Sequence, residues 1–414
     1  MSARRALVGW YLHHSGAGHR TRFDAVRRHL DADVVVFSTL APPPALPSHT
    51  RWVMLDRDDQ PERTESGVAR DPAQSQPTAG GALHWAPLGH SGHASRLGMI
   101  AAALASERFD AFVVDVSVEV TLLVRLFGVP VVVMTQPGER NDDPHRLAFT
   151  AASRIVAPWP EALYVPRALE PFRAKTSFVG GISRFAGRRA APSAAAAAPG
   201  ATPTAVAAPA TVTSVLVLGA GGGRTVTPAD IEAAAVATVA RPVAGWAEHA
   251  AAGGAVDGDA VDGGATVAAA GATTWHALGM EPTAHVSAER WNADPFDLLQ
   301  DVDVVVSFAG QNAVADLASA GARAIVIAQP RAFDEQRATA RVLREHGLAV
   351  VRTSWPAPDE WPALLAEARA LTPDWSAWRT PGAASRAAAA IADVATLSAP
   401  SAQPTQTTPA PPPA

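Results

Sequence analysis

Residues 6–19 read Ala6-Leu7-Val8-Gly9-Trp10-Tyr11-Leu12-His13-His14-Ser15-Gly16-Ala17-Gly18-His19, and residues 215–223 read Val215-Leu216-Val217-Leu218-Gly219-Ala220-Gly221-Gly222-Gly223. Each is a short, continuous apolar run that ends in glycines. In the first half a helical spacing follows, with Phe23, Val26 and Leu30 on one face. In the second, Thr227-Pro228-Ala229-Asp230 supplies an N-cap, a first-turn proline and an early acidic residue. Strand, glycine turn and helix in both halves predict an α/β protein of two Rossmann-like, doubly wound domains facing across a cleft.

Further apolar runs extend the alternation. Phe112-Val113-Val114 and Val129 to Met134 read as buried parallel strands of the first half. In the second half, Val304-Val305-Val306 and Ala324-Ile325-Val326-Ile327 flank a helix over about 311–320. A helix over about 334–345 leads to a strand around Leu348–Val351, and a helical pattern from Ala383 to Leu397 closes the fold.

The chain has 414 residues, 48% hydrophobic and 18% charged. That exceeds the length at which one core stops growing, and it excludes wholesale disorder. Lys and Arg number 34 against 39 Asp and Glu, a net charge of −5, so no general attraction to nucleic acid is expected. Lys175 is the only lysine, which with the heavy use of alanine reads as coding bias. Cysteine is absent, excluding disulfides, a thiol nucleophile and cysteine-ligated metals. The N-terminal apolar run stops at His13-His14, too early for a secretory signal. No stretch reaches the roughly eighteen apolar residues of a membrane span. A soluble, cytoplasmic protein is expected, with peripheral contact at the inner face of the membrane left open.

Composition divides the chain. Residues 190–212 are an Ala/Pro-rich linker, since repeated prolines break helix and no large side chain offers a face to bury. The expected organisation is an N-terminal acceptor-binding domain over 1–189, the linker, a C-terminal donor-binding domain over 213–397 and a disordered tail over 398–414. The Gly/Ala/Asp-rich stretch 250–273 reads as a surface insertion.

A glycine turn between a strand and a helix aims several backbone N–H groups and a helix dipole at one small volume, a site for a diphosphate. Ser15, Gly16 and Gly18 form one such turn, an acceptor or phosphate turn; Gly221 and Gly222 belong to another. A dinucleotide fingerprint needs a third glycine, but Thr21 and Arg224 stand in its place. Ser307-Phe308-Ala309-Gly310-Gln311-Asn312 is a third strand-to-helix turn. Asp316 on its helix can accept from ribose hydroxyls, and Asp334 and Gln336 can bond sugar hydroxyls. The alternatives for Asp316 and Asp334 are a solvated helix residue and a plain N-cap.

These motifs resemble the GT-B glycosyltransferases, specifically the group of the enzyme that adds N-acetylglucosamine to lipid-linked muramoyl pentapeptide, and its actinobacterial relatives. His14-Ser15-Gly16-Ala17-Gly18-His19 is similar to that family's G-G-T-G-G-H turn, and Gly219 to Gly223 to its second turn. Its donor motif S-G-A-x-T-x-x-E-x-x-A-x-G, then D-x-Q-Q, corresponds to Ala309 through Gly321, then Asp334-Glu335-Gln336-Arg337. Asp316 is one methylene shorter than the family's acidic residue, and Arg337 replaces the second glutamine. The segment 60–100 has no counterpart.

The resemblance implies transfer of a hexosyl group from a UDP-sugar to an acceptor hydroxyl, with neither metal nor cofactor. The donor would lie on Gly221, Gly222, Arg224, Gly310, Gln311, Asn312, Asp316, Asp334 and Gln336, and an acceptor, lipid-linked or soluble, on the first domain. Main-chain N–H groups and Arg224 would stabilise the diphosphate leaving group. His19, where the first turn meets its helix, is the first candidate for the base; the competing role is to orient the turn. Asp115 and Glu119 follow a strand's carboxyl end and are candidates for base or acceptor contact, as is Gln136-Pro137-Gly138 after the next strand; a solvated loop is the alternative. His84, His90 and His93 sit in a Gly/Ser/Pro-rich stretch unlike a zinc site. Most of the eleven tryptophans are expected to be core. Two other classes stay open, a nucleotide-sugar epimerase of the same architecture and a non-catalytic nucleotide-sugar or polyprenyl-phosphate binding protein.

Overall fold

The computed structural model describes residues 4–14, 16–63, 67, 69–188, 213–219, 226–238, 273–290, 292 and 294–397. In the first half the strands are β1 (Leu7–Tyr11), β2 (Asp33–Ser38), β3 (Thr50–Met54), a small hairpin β4 (Glu62–Arg63) and β5 (Ala69–Arg70), then β6 (Ala111–Asp115), β7 (Val131–Met134), β8 (Arg154–Ala157) and β9 (Thr176–Phe178). The helices between them are α1 (Gly18–Arg27), α2 (Ser91–Ser106), α3 (Val118–Leu126) and α4 (Asp143–Ala151). The second half has strands β10 (Thr213–Leu218), β11 (Thr273–Leu278), β12 (Val286–Glu289), β13 (Val304–Phe308), β14 (Ala324–Ile327) and β15 (Val350–Arg352). Its helices are α5 (Pro228–Ala237), α6 (Phe296–Asp301), α7 (Gln311–Ala320), α8 (Glu335–Glu345) and α9 (Trp361–Ala370), and α10 (Ala383–Leu397) ends the described chain.

Two parallel sheets result, ordered β3-β2-β1-β6-β7-β8-β9 and β12-β11-β10-β13-β14-β15. Their central strands are largely apolar because helices cover both faces, and the two faces of each sheet carry separate buried clusters. Strand order reverses between β1 and β6 in the first sheet and between β10 and β13 in the second. Ligands in such sheets gather at the carboxyl ends of the strands beside the reversal. In the first sheet Tyr11 pairs with Val114, so the turn after β1 lies beside Asp115. In the second, Val217 pairs with Val306, bringing the start of the second glycine turn beside the approach to Gly310.

Local signals hold where they were strongest. Thr227 Oγ1 accepts from the Asp230 N–H at 3.2 Å and Asp230 Oδ2 accepts from the Thr227 N–H at 2.7 Å, a reciprocal cap on α5. The linker 190–212, the tail 398–414 and nearly all of 250–273 lie outside the described residues.

The domain limits need correcting at both crossings. Phe185 is buried in a cluster of the second domain, so the chain leaves the first domain before residue 189. Helix α10, placed by sequence in the second domain, packs against α1, β6 and β8 of the first. Its buried face is mostly alanine, Ala383, Ala384, Ala387, Ala388, Ala390 and Ala395 with Ile391 and Val394, and small side chains allow that helix to lie close on the sheet. Arg386 Nε donates to the Val179 carbonyl at 2.9 Å, tying the returning chain to the outgoing one.

Candidate active site

Helix α1 begins at Gly18 and no side chain caps it. His19 and Arg22 stand one turn apart on its buried side. His19 Nδ1 lies 2.9 Å from Asp115 Oδ2, and Arg22 Nη2 donates to Asp115 Oδ1 at 2.5 Å. Arg22 Nη2 also lies 3.1 Å from the same Nδ1; the tautomer that pairs with the carboxylate, the shorter contact, carries its proton on Nδ1 and leaves Nε2 the lone pair. Burial alone raises the Asp115 carboxyl, but Arg22 and then His19 outweigh it and hold it down at about 2, so it stays ionised at neutral pH. The next residue, Val116, has φ +68°, a costly conformation for a β-branched side chain and one that clusters at functional sites.

The second domain approaches through α7, which also starts without a side-chain cap, at Gly310. Asn312 Nδ2 donates to the Gly18 carbonyl at 2.7 Å, and Arg22 Nη1 donates to Gln311 Oε1 at 2.9 Å. Two helix starts without side-chain caps therefore meet at the cleft, each bringing its unpaired N–H groups and the positive end of its dipole there. Nothing lies within 4 Å of where a Cβ would stand on Gly16 or Gly310, leaving both turns open to a ligand. Two donors there, Gln311 Nε2 and Arg22 Nε, are buried with no partner among the described residues.

A second crossing point joins Gly138, named from its place after a strand, to Arg140 and Phe333, which sequence reasoning gave no role. Gly138, at φ +106°, packs so tightly that a Cβ would stand 2.2 Å from the Phe333 carbonyl oxygen. The Glu139 N–H donates to that same oxygen at 2.6 Å. Phe333 lies under the Arg140 guanidinium at 4.9 Å and edge-on to His145 at 4.6 Å. Glu335, at the start of α8, lies 3.8 Å from Arg140; burial raises its carboxyl, and Arg140, Arg22 and His19 pull it back. Spacing could have found Arg22, which lies i+3 from His19 on a helix, but Arg140 and Phe333 meet only through the fold.

The expected donor residues separate. Gln311, Asn312 and Gly310 are at the cleft with Gly16, Gly18, His19 and Asp115. Asp316 is buried, its Oδ1 accepting from Ser183 Oγ at 2.6 Å and its Oδ2 3.1 Å from Arg184 Nε. Burial raises its carboxyl to about 6 against the pull of Ser183 and Arg184. Gln336 is buried and accepts from the Gln329 N–H at 2.9 Å. Asp334 is exposed, has φ +57° and pairs with Arg337 at 3.2 Å. Ser15, Gly221, Gly222 and Arg224 lie outside the described residues. Glu119 accepts the backbone N–H groups of His84 and Trp85, a positioning role for the loop over the first sheet.

The three histidines of the 84–93 stretch go to different partners. His90 meets the Gln60 carbonyl and His93 meets Asp58, while His84 joins Asp142 and His145. That last trio could group around a cation, but Arg140 Nη1 lies 3.0 Å from His145 Nε2. Arginine only donates, so Nε2 accepts and Nδ1 carries the proton toward Asp142, where a metal would need a lone pair. The donor set does not fit a metal.

A cavity of about 380 Å³ opens in the first domain beside the His19–Asp115 pair. His13 on its wall stands 5.4 Å from the His19 ring.

Residues 293–355, the stretch holding α6 through β15, match the glycosyltransferase family 28 C-terminal domain. No curated protein matches the sequence. Among solved structures, the calicheamicin glycosyltransferase CalG4 superposes with a TM-score of 0.55 at 15% identity, over 96% of this chain and all of its own. Acinetobacter baumannii MurG gives 0.52 at 12% identity, over 94% and 99%. Phytolacca americana UGT2, complexed with UDP-2-fluoro-glucose and pterostilbene, gives 0.54 at 13%, over 96% and 100%. The chain has the GT-B fold, and the domain match with that architecture supports a glycosyltransferase.

Proposed function

We propose that the protein transfers a hexosyl group, N-acetylglucosamine being one candidate, from a UDP-sugar on the second domain to a hydroxyl held in the first-domain cavity. The observation that carries this reading is the His19–Asp115 pair at one strand reversal, set against the uncapped start of α7 from the other. His19 Nε2 takes the proton of the acceptor hydroxyl. The hydroxyl oxygen then forms a bond to the anomeric carbon, the bond from that carbon to the diphosphate breaks, and UDP leaves with its electron pair. Asp115 holds the imidazole in the reactive tautomer and balances the imidazolium that forms.

The diphosphate is stabilised by main-chain N–H groups at Gly310 to Asn312, and its oxygens satisfy Gln311 Nε2 and Arg22 Nε. None of these steps requires a metal. Ser15, Gly16 and Gly18 line the acceptor side of the same volume; Gly221, Gly222 and Arg224 grip the donor from the second turn. Asp316 serves the donor site through Arg184, and only exchange of that bond frees it for a ribose hydroxyl. Asp334 and Gln336 flank the sugar position.

The test is UDP release from UDP-glucose and UDP-N-acetylglucosamine with and without phenolic acceptors, in EDTA. Turnover that survives the chelator and collapses in His19→Ala, with UDP affinity kept, is expected. Inversion at C2 of the sugar would replace this reading by an epimerase, and tight UDP-sugar binding with no turnover by a binding protein.

A further inference from the structure

The cavity beside His19 opens to solvent on one side, and its walls say what kind of molecule it takes. At about 380 Å³ it is of the size that holds one small organic molecule. Tyr11, Trp85, Leu97, Val116 and Val120 give it an apolar body. Its polar groups are mostly acceptors. Asp59 is on the wall and is held ionised, down at about 2, chiefly by Arg57, whose own side chain is mostly in solvent.

His13 and His14 on the wall are held toward the neutral form. Burial lowers His13 to about 3, helped by His19 and His14, and burial likewise lowers His14. His14 Nε2 lies 3.3 Å from Asp59 Oδ2, which places its proton on Nε2 and a lone pair on Nδ1. That Nδ1 is buried with no partner among the described residues.

The arginine of the wall is committed. Arg96 is buried, bonded to Asp58, and donates to Tyr11 Oη at 2.8 Å; Asp58 also meets His93. Asp59 accepts from the solvent-facing Arg57 at 2.9 and 2.6 Å and faces His14 Nε2, which leaves it lone-pair capacity for one further donor; beside it stands the bare His14 Nδ1, and among the described residues of the wall the one arginine is committed.

We propose that this cavity binds a compact aromatic or alicyclic molecule bearing an ammonium group, held by Asp59 and His14, and that it rejects anionic molecules such as a lipid diphosphate. This deepens the transferase reading and rests on it for the claim that the occupant is the acceptor. The ammonium donates to Asp59 and to His14 Nδ1, and the ring lies against Trp85 and Leu97.

Three phenols of nearly equal size test the proposal: tyramine, tyrosol and 4-hydroxyphenylacetate, cationic, neutral and anionic. Their dissociation constants are measured by calorimetry on the full chain, wild type and Asp59→Asn, with the circular-dichroism melt as the folding control. Tyramine should bind more tightly than 4-hydroxyphenylacetate by at least about fivefold, the scale of one partly exposed charge contact, with tyrosol between them. Asp59→Asn should bring tyramine to the level of tyrosol. Equal or tighter binding of 4-hydroxyphenylacetate, or an order unchanged in a folded Asp59→Asn, overturns the proposal; should that variant not fold, the wild-type order alone decides. UDP release assayed in parallel separates the two readings. Turnover with the anionic phenol as good as with tyramine sinks the charge preference and leaves the transferase. The expected binding order with no turnover on any phenol keeps the charge preference and removes the acceptor assignment.

Discussion

Arg22 Nη1 donates to Gln311 Oε1 at 2.9 Å across the cleft, so the guanidinium that anchors Asp115 in the first domain also touches the helix that opens toward the second. Catalytic geometry and domain approach are thereby joined in one side chain. Arg22→Lys keeps the charge but loses the planar fork that reaches both partners. Donor KM should rise about tenfold, a cost in line with one charged hydrogen bond, while the melting temperature changes by only a few degrees. Steady-state kinetics over a UDP-sugar series reads the first and a thermal melt the second. An unchanged KM would separate the arginine from closure.

Asp115→Asn removes the acceptor that fixes the His19 tautomer. The turnover number should fall by about 10²- to 10⁴-fold with UDP affinity kept, as read by single-turnover kinetics and calorimetry. The same residue shapes acid stability. A carboxyl lowered to about 2 in the fold contributes stability that is present above its unfolded value near 4 and is lost as the pH drops through the folded one. His145, lowered to about 4 by burial and Arg140, is a base kept neutral. Its contribution starts to be lost at higher pH, below about 6.5. Chemical unfolding between pH 7 and pH 3 should show two successive losses, and Asp115→Asn should lack the more acidic one.

Asp316 behaves oppositely. A carboxyl raised to about 6 contributes stability that is complete below its unfolded value near 4 and disappears as the pH climbs through 6. Asparagine keeps an acceptor for Ser183 and does not titrate. Relative to wild type, Asp316→Asn should gain up to on the order of 2 kcal/mol between pH 4 and pH 7.5, measured by urea unfolding at both. A difference independent of pH would show that Arg184 holds the native carboxyl fully ionised. Calorimetry with UDP on the same variant shows whether the carboxylate also serves the nucleotide.

Gly138→Ala forces a methyl group against the Phe333 carbonyl and onto a backbone that L side chains rarely adopt. The domains should part at this contact while each sheet stays intact. Small-angle scattering should show a larger radius of gyration, with far-ultraviolet circular dichroism unchanged. Scattering identical to wild type would mean the contact bears no closing force.

Periodicity and turn chemistry made much of this legible. Residues 311–320 and 324–327 form the helix and strand that their pattern suggested, because a buried parallel strand and a helix ended by a left-handed glycine, here Gly321, advertise themselves locally. His19 and Asp115 were named singly from position, and the fold supplied their contact, 96 residues apart in the chain. The acceptor-rich cavity was not legible: His14, Asp58, Asp59 and Arg96 come from loops and a helix with no shared spacing. Helix α10 misled because neighbourhood in sequence suggested the second domain, while its alanine face fits the first.

That returning helix has a practical corollary. A fragment ending near residue 188 would carry the whole first sheet yet leave bare the apolar groove that the alanine face of α10, with Ile391 and Val394, fills. Anyone dissecting the enzyme into halves needs to graft residues 383–397 onto the first piece, because its fold is completed by a helix that follows the whole second sheet in the chain.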